Sequence, residues 1–136
     1  MEACDLQRAV LSRSTWHRAQ VVKVTAMEAD LNDAKLAGAR FERCDLREAH
    51  LGASVPDSAA GAVFVACDLR STDWTGRDLR GASFVDCKLF GARGAPDLDG
   101  ALIVRPDLSP TGDGRAIGSH EEALAHWRLS CGAPLA

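Results

Sequence analysis

Between Ala29 and Leu51 a large apolar residue returns at every fifth position: Leu31, Leu36, Phe41, Leu46 and Leu51. Two places before each stands a compact one: Ala29, Ala34, Ala39, Cys44 and Ala49. An α-helix asks for apolar positions every 3.6 residues and a β-strand for every second one. A sustained interval of five fits neither. It fits a solenoid in which five residues make one side of a four-sided coil, and a repeat of this kind decides the fold before any local propensity does.

The frame holds for ten consecutive pentads from Cys4 to Ala53, centred on Leu6, Leu11, Trp16, Val21, Ala26, Leu31, Leu36, Phe41, Leu46 and Leu51. It slips across "SVPDSAAG" (54–61) and resumes three residues out of phase, on Phe64, Leu69, Trp74, Leu79, Phe84 and Leu89. Arg77 is the clear misfit at a compact position. A second slip, one residue short, falls at 92–95, and weaker pentads follow on Leu98, Ile103 and Leu108. Eighteen of the nineteen centres are large and apolar, which chance does not sustain. Large centres fill such a coil and compact partners leave them room. At twenty residues per turn and about 4.8 Å between coils, the pattern predicts an all-β rod of about five coils, on the order of 25 Å long.

The pentads "CDLQR", "ADLND", "CDLRE", "CDLRS" and "RDLRG" resemble the A-(D/N)-L-x-x motif of the pentapeptide-repeat family. That resemblance covers residues 4–109 and implies a right-handed quadrilateral parallel β-helix, with the central residue and the compact residue two before it both pointing inward. The chain then divides into a solenoid over 1–110 with a projecting loop at 54–61, a connector at 111–118 and a distinct tail at 119–136. In the tail, Ser119 and Glu122 form a capping box that predicts a short helix to about Ser130, stopped by Gly132 and Pro134. Leu124, Trp127 and Cys131 share one stripe of it. The stripe is a candidate cap on the last coil, a candidate homodimer contact, or both.

A chain of 136 residues is one domain, and its net charge of −3, with acids and bases interspersed, does not suggest a general nucleic-acid binder. "MEACDLQRAV" lacks the basic and apolar regions of a signal peptide, and no apolar run approaches membrane-spanning length, so a soluble cytoplasmic protein is expected. The cysteines Cys4, Cys44, Cys67, Cys87 and Cys131 form no C-x-x-C pair; four of them sit at compact repeat positions, where a thiol packs as a small hydrophobe. His17, His50, His120 and His126 have no zinc-ligand spacing, and "TGDGRAIG" is not a phosphate-binding loop. No catalytic, cofactor or metal site is predicted, and an enzyme is not expected.

Function should therefore lie on the outside. Residues one coil apart stack, which sets Arg8 beside Glu28 and Arg13 beside Asp33, with Lys23 and Arg43 a like-charged exception. Residues 1–53 hold eight acids and eight bases, and residues 54–108 eight acids and six bases. The segments "GAVFVACDLRSTDW" (61–74) and "SHEEALAHWRLSCGAPLA" (119–136) are similar to the MfpA and Qnr branch of the family. That likeness implies a dimeric rod, paired through its C-terminal helix, that imitates duplex DNA and binds DNA gyrase or topoisomerase IV, with protection from fluoroquinolones. It makes Asp68, Asp73 and Asp78 the candidate contacts, with Asp57, Asp86 and the loop residues Val55 and Pro56 beside them. The alternative is a structural scaffold that docks another protein on its N-terminal coil, since Cys4-Asp5-Leu6 is already a repeat. Docking there is expected to be insensitive to salt, whereas binding through carboxylates is not. Neither reading involves a membrane or direct contact with nucleic acid.

Overall fold

The computed structural model describes residues 5–16, 18–52, 61–75, 79–92 and 101–109, together with Ile117 and Glu122. The candidate contacts Val55, Pro56, Asp57 and Asp78, and the tail residues Leu124, Trp127 and Cys131, lie outside them.

Five short strands stack in parallel in chain order: β1 (Gln20–Val22), β2 (Arg40–Glu42), β3 (Val63–Val65), β4 (Ser83–Val85) and β5 (Leu102–Val104). Two further faces are ladders of isolated parallel bridges, one running Asp5, Thr25, Asp45, Asp68, Lys88, Asp107 and the other Val10, Asp30, His50, Asp73. Thr15 pairs with Lys35 on the remaining face. These four faces recur in order every five residues, so the chain is a four-sided parallel β-solenoid. The registers also contain both slips. Val21 pairs with Phe41 and Phe64 with Phe84, twenty residues apart, whereas Phe41 meets Phe64 after twenty-three and Phe84 meets Ile103 after nineteen. Both corrections lie between one strand and the next, and the sheet keeps its alignment across them.

Pentad centres point inward. Leu31, Leu36, Phe41, Leu46, Leu51, Phe64, Leu69, Trp74, Leu79, Phe84 and Leu89 are buried in one cluster, together with Ala29, Ala34, Ala39 and Ala49 at the compact positions. Leu6, Leu11 and Trp16, in the first coil, are packed against that cluster but only half-buried. Phe41, Phe64 and Phe84 stack face to face at 5.0 and 5.1 Å, and Trp74 meets Phe64 and Phe84 edge-on. Such offset and edge contacts suit the ring quadrupoles.

The two tryptophan centres are the only pentads whose compact partner carries a hydroxyl. The structure shows why. The Trp74 indole N–H donates to Thr72 Oγ1 at 2.7 Å, and that hydroxyl donates to the Leu69 carbonyl at 2.8 Å. Trp16 uses Ser14 and the Leu11 carbonyl in the same way. A buried N–H without a partner would cost about 1–3 kcal/mol, so the indole can replace leucine only where a hydroxyl stands two residues earlier.

The corners were not legible in the repeat. Among the described residues twelve non-glycines adopt left-handed φ, including Arg8, Arg13, Arg18, Lys23, Glu28, Asp33 and Glu48. Each stands two residues after a centre. On three faces the centre's carbonyl also accepts the N–H three residues on, as from Ala9 to Leu6 and from Ala49 to Leu46, closing a turn whose second central residue must have positive φ. After the strands the corner is open, with φ of 48–56°. Left-handed φ costs an L-residue about 1–2 kcal/mol. Here the strained residue's own N–H donates to the next coil, as from Arg8 to Met27 (2.8 Å) and from Ala66 to Val85 (2.8 Å), and the stacked ladder holds it in place.

Candidate protein-binding surface

Because centres and compact residues fill the interior, titratable groups are left at the outward bridge positions and the corners. Asp45 and Asp68 are successive rungs of one ladder. Arg47 forks onto Asp45, with Nε at 2.9 Å from Oδ1 and Nη2 at 2.8 Å from Oδ2. Arg70, one coil on, forks onto Asp68 at 2.9 and 2.7 Å. Arg47 also stands 3.6 Å from Asp68, so two carboxylates and two guanidiniums form one neutral group. Burial pushes the Asp45 carboxyl up, but the Arg47 fork outweighs it and holds the group below its ordinary value. Asp45 and Asp68 in turn raise Arg47 and Arg70. Arg47, Glu48, Arg70, Ser71, Met27 and Phe90 line a shallow open cavity of about 270 Å³ beside this network.

The described acidic candidates stand on separate faces. Asp68 lies on the Asp5 ladder and Asp73 on the Val10 ladder, while Asp86 is the corner after β4. Asp73 accepts the Thr75 N–H at 3.0 Å and its hydroxyl at 2.6 Å. Asp86 is forked by Arg105 at 2.6 and 3.0 Å, and that guanidinium holds its carboxyl below the ordinary value. Two of the three described candidates are thus neutralised by arginine.

Cys44, Cys67 and Cys87 are free, buried and stacked on successive coils. Each thiol donates to a carbonyl of the preceding coil, Val21, Phe41 and Phe64 in turn, at 3.2–3.3 Å. The Cys67 thiol and then burial push Cys44 far above an ordinary thiol. Cys44 acts in the opposite sense on Cys67, but Cys87 and burial prevail and Cys67 is pushed up to about 12. The column suits packing and not nucleophilic chemistry. Among the described residues no group of three or more His, Cys, Asp or Glu is placed to hold a metal ion, and no helix is long and apolar enough to cross a membrane.

At the N-terminal end the picture changes. The first coil's four corners are Arg8, Arg13, Arg18 and Lys23, all exposed. Counting charges over 1–53 hides this ring, because the acids that balance it belong to the second and third coils. Arg8 pairs with Glu28 at 3.5 Å, as the twenty-residue spacing led us to expect, and both side chains remain largely exposed.

No curated protein matches the chain by sequence. Among solved structures it is similar to full-length QnrB1, a plasmid-mediated fluoroquinolone resistance protein, with a TM-score of 0.61 at 20% identity over 80% of this chain and 58% of that one. A trypsin-treated QnrB1 variant gives a TM-score of 0.58 at 22% identity over 79% and 55%. The chain thus spans less than three fifths of the length of either. Residues 27–52 and 60–93 match the description "Pentapeptide repeats" in eight copies, on either side of the first slip. With that match and the four-sided coil, residues 27–52 and 60–93 are pentapeptide repeats.

Proposed function

We propose that the protein is a non-catalytic rod that works by binding another protein, and that its partner is DNA gyrase or topoisomerase IV, in a fluoroquinolone-protecting role. The observation that carries the binding reading is the division of the molecule. Among the described residues from Val21 to Ile103 the inward positions form a packed core, while charged groups stand outside on the bridge ladders. The likeness of 61–74 and 119–136 to the MfpA and Qnr branch supports the choice of partner, as does the fold shared with QnrB1. Gyrase supercoiling is measured with increasing amounts of the protein, with and without a fluoroquinolone. Inhibition, or rescue from the drug, is expected, and it should disappear when Asp68, Asp73 and Asp78 become Asn while thermal unfolding stays intact. No effect at many-fold excess over gyrase overturns the gyrase reading.

A second reading is favoured by the neutralised acids and the basic end: a scaffold that docks its partner on the N-terminal coil. Salt does not separate the two readings as expected from the sequence, because an end ringed by four cations also binds through charge. Substitution does. The gyrase reading depends on the aspartates, the scaffold reading on the first coil.

A further inference from the structure

We propose that the outward face of the five-stranded sheet docks one amphipathic helix of a partner protein. The helix lies along the rod, with an apolar stretch over β3–β5 and carboxylates over β1 and β2. The inference rests on the protein-binding reading, and on neither choice of partner within it.

Each strand turns its middle residue inward and its two flanking residues out. The outward pairs change character along the rod. β1 and β2 present Gln20 with Val22 and Arg40 with Glu42, the last two an ion pair at 3.8 Å. β3–β5 present Val63 with Val65, Ser83 with Val85 and Leu102 with Val104, so five of these six outward side chains are aliphatic. Leu102 is 54% exposed and the valines are half-buried. Strand pairing does not ask for them, since β1 pairs with β2 over the same three residues with Gln20 on Arg40 and Val22 on Glu42.

The corners repeat the division. After the strands stand Lys23, Arg43, Ala66, Asp86 and Arg105 in turn. Before them stands Arg18, followed on the next coils by Gly38, Gly61 and Gly81. Arg18, Lys23 and Arg43 make no ion pair among the described residues, whereas Asp86 and Arg105 fork onto each other and cancel. A Cβ at Gly61 or Gly81 would meet nothing within 4 Å, and arginine, lysine and glutamate hold the same left-handed φ at other corners. Glycine there leaves a bare margin beside the valines. One half of the face is thus apolar with a neutral border, and the other is bordered by three cations.

What the face lacks selects the occupant. The backbone groups of β2–β4 bond the strands on either side, so an extended segment finds no main-chain partner there and would bury its own polar groups against valine. A helix has already satisfied its backbone and can be recognised by side chains alone. The two outward rows lie about 6.6 Å apart over the inward centres, a shallow groove parallel to the rod axis that takes one helical stripe. Five strands span about 19 Å, the length of about thirteen helical residues. Two copies side by side do not satisfy the same face. In parallel they set cation against cation; antiparallel, they join valines over three strands and leave the cations without carboxylates. The apolar area so joined is on the order of 150 Å², where a stable assembly buries about 800 Å² per partner. Membrane docking asks for side chains that reach the acyl boundary, and the outward positions of this face are short and hold no aromatic residue.

The probe is a synthetic helical peptide of about sixteen residues. Leucine lines one stripe in one half and glutamate the same stripe in the other, and the peptide is made in both sequence directions and titrated into the full chain. One direction should bind. Affinity should fall at least tenfold with Val65→Thr/Val85→Thr/Val104→Thr, which keeps the branched shape, and with Lys23→Glu/Arg43→Glu, both checked to melt like the parent. A peptide with lysine in place of glutamate should prefer the Lys23→Glu/Arg43→Glu protein to the parent, a reversal that a folding defect does not produce. A photo-crosslinker in the leucine half should capture β3–β5, and one in the glutamate half β1 or β2. No binding in either direction at millimolar peptide, affinity indifferent to both variants, or crosslinks on another face each overturn the proposal. A leucine-only peptide that binds as tightly overturns the acidic half of it. Phosphatidylcholine–phosphatidylserine vesicles that sediment the parent but not the valine variant overturn it in favour of a membrane surface. Self-association lost in that variant does so in favour of a second copy. If the peptide fails while gyrase supercoiling still responds to the protein, this face is overturned and the binding reading stands; failure in both assays overturns both.

Discussion

The first coil and the coils around Phe64 are built from the same five-residue unit, yet they do opposite work. Trp16 and Trp74 make the point most directly. Both are pentad centres, and both donate their indole N–H to a hydroxyl two residues earlier. Trp74 is completely buried, wedged edge-on between Phe64 and Phe84. Trp16 is half-buried, with Phe41 at 6.3 Å as its aromatic neighbour. The corners diverge too: four cations in the first coil, but Ser71, Gly81 and Asp86 among the described corners of the fourth. A repeat with neighbours on both sides becomes core, and its outward charges are neutralised along the ladder, as Asp68 is by Arg47 and Arg70. In the first coil Leu6, Leu11 and Trp16 stay half-buried and four exposed cations stand at the corners.

Truncating the two regions in parallel tests this contrast most severely. Phe64→Ala removes the middle of the aromatic stack and should destabilise by about 3–5 kcal/mol in denaturant unfolding. Leu11→Ala should cost less than half as much, because the site is already partly in water. Equal costs would mean that the first coil is as well covered as the third.

The hydroxyls sharpen the same comparison. Thr72→Ala leaves a buried indole N–H without a partner and should cost about 1–3 kcal/mol, with Thr72→Ser recovering most of it. Ser14→Ala should cost well under that, since solvent reaches Trp16. The ratio of the two losses, read from chemical unfolding midpoints, measures how dry each end of the core is.

The smallest effect concerns the thiol column, which lies in the covered coils. Cys44 and Cys67 have folded pKa values above those of free thiols. Their contribution is fully present below the unfolded value of about 8.5, and it is lost as pH rises toward the folded value. One unit above 8.5 the loss is at most about 1.4 kcal/mol per thiol. The chain has no tyrosine to confuse the window. The midpoint at pH 9.5 should fall below that at pH 7.5, and Cys67→Ala should flatten the difference. A midpoint that rises, or a slope unchanged by Cys67→Ala, would show that the column is not shielded.

Much of the fold was legible because the signal is a period. Eighteen large centres in nineteen specify the inward face, and the two slips, three residues long and one residue short, reappear as the pairings Phe41 with Phe64 and Phe84 with Ile103. The stacking of Arg8 on Glu28 follows from the same arithmetic. The hydroxyl beside each tryptophan was present in the sequence as Ser14 and Thr72, but it read as smallness and not as a hydrogen-bond acceptor. The candidate site was much less legible. The sequence spaces Asp68, Asp73 and Asp86, but it does not say that Arg70, two residues on, and Arg105, one coil on, reach back to neutralise two of them.

By itself, then, the sequence determined the period, the coil, the inward residues and the places where the frame shifts, because burial of apolar side chains at a fixed interval admits one backbone path. Only the tertiary structure decided which charges survive. Pairing depends on side-chain reach between coils, and exposure depends on whether another coil lies above. That is why Asp68 and Asp86, which looked available, are paired with arginine, and why four cations that looked balanced in the count stand exposed at the corners of the first coil.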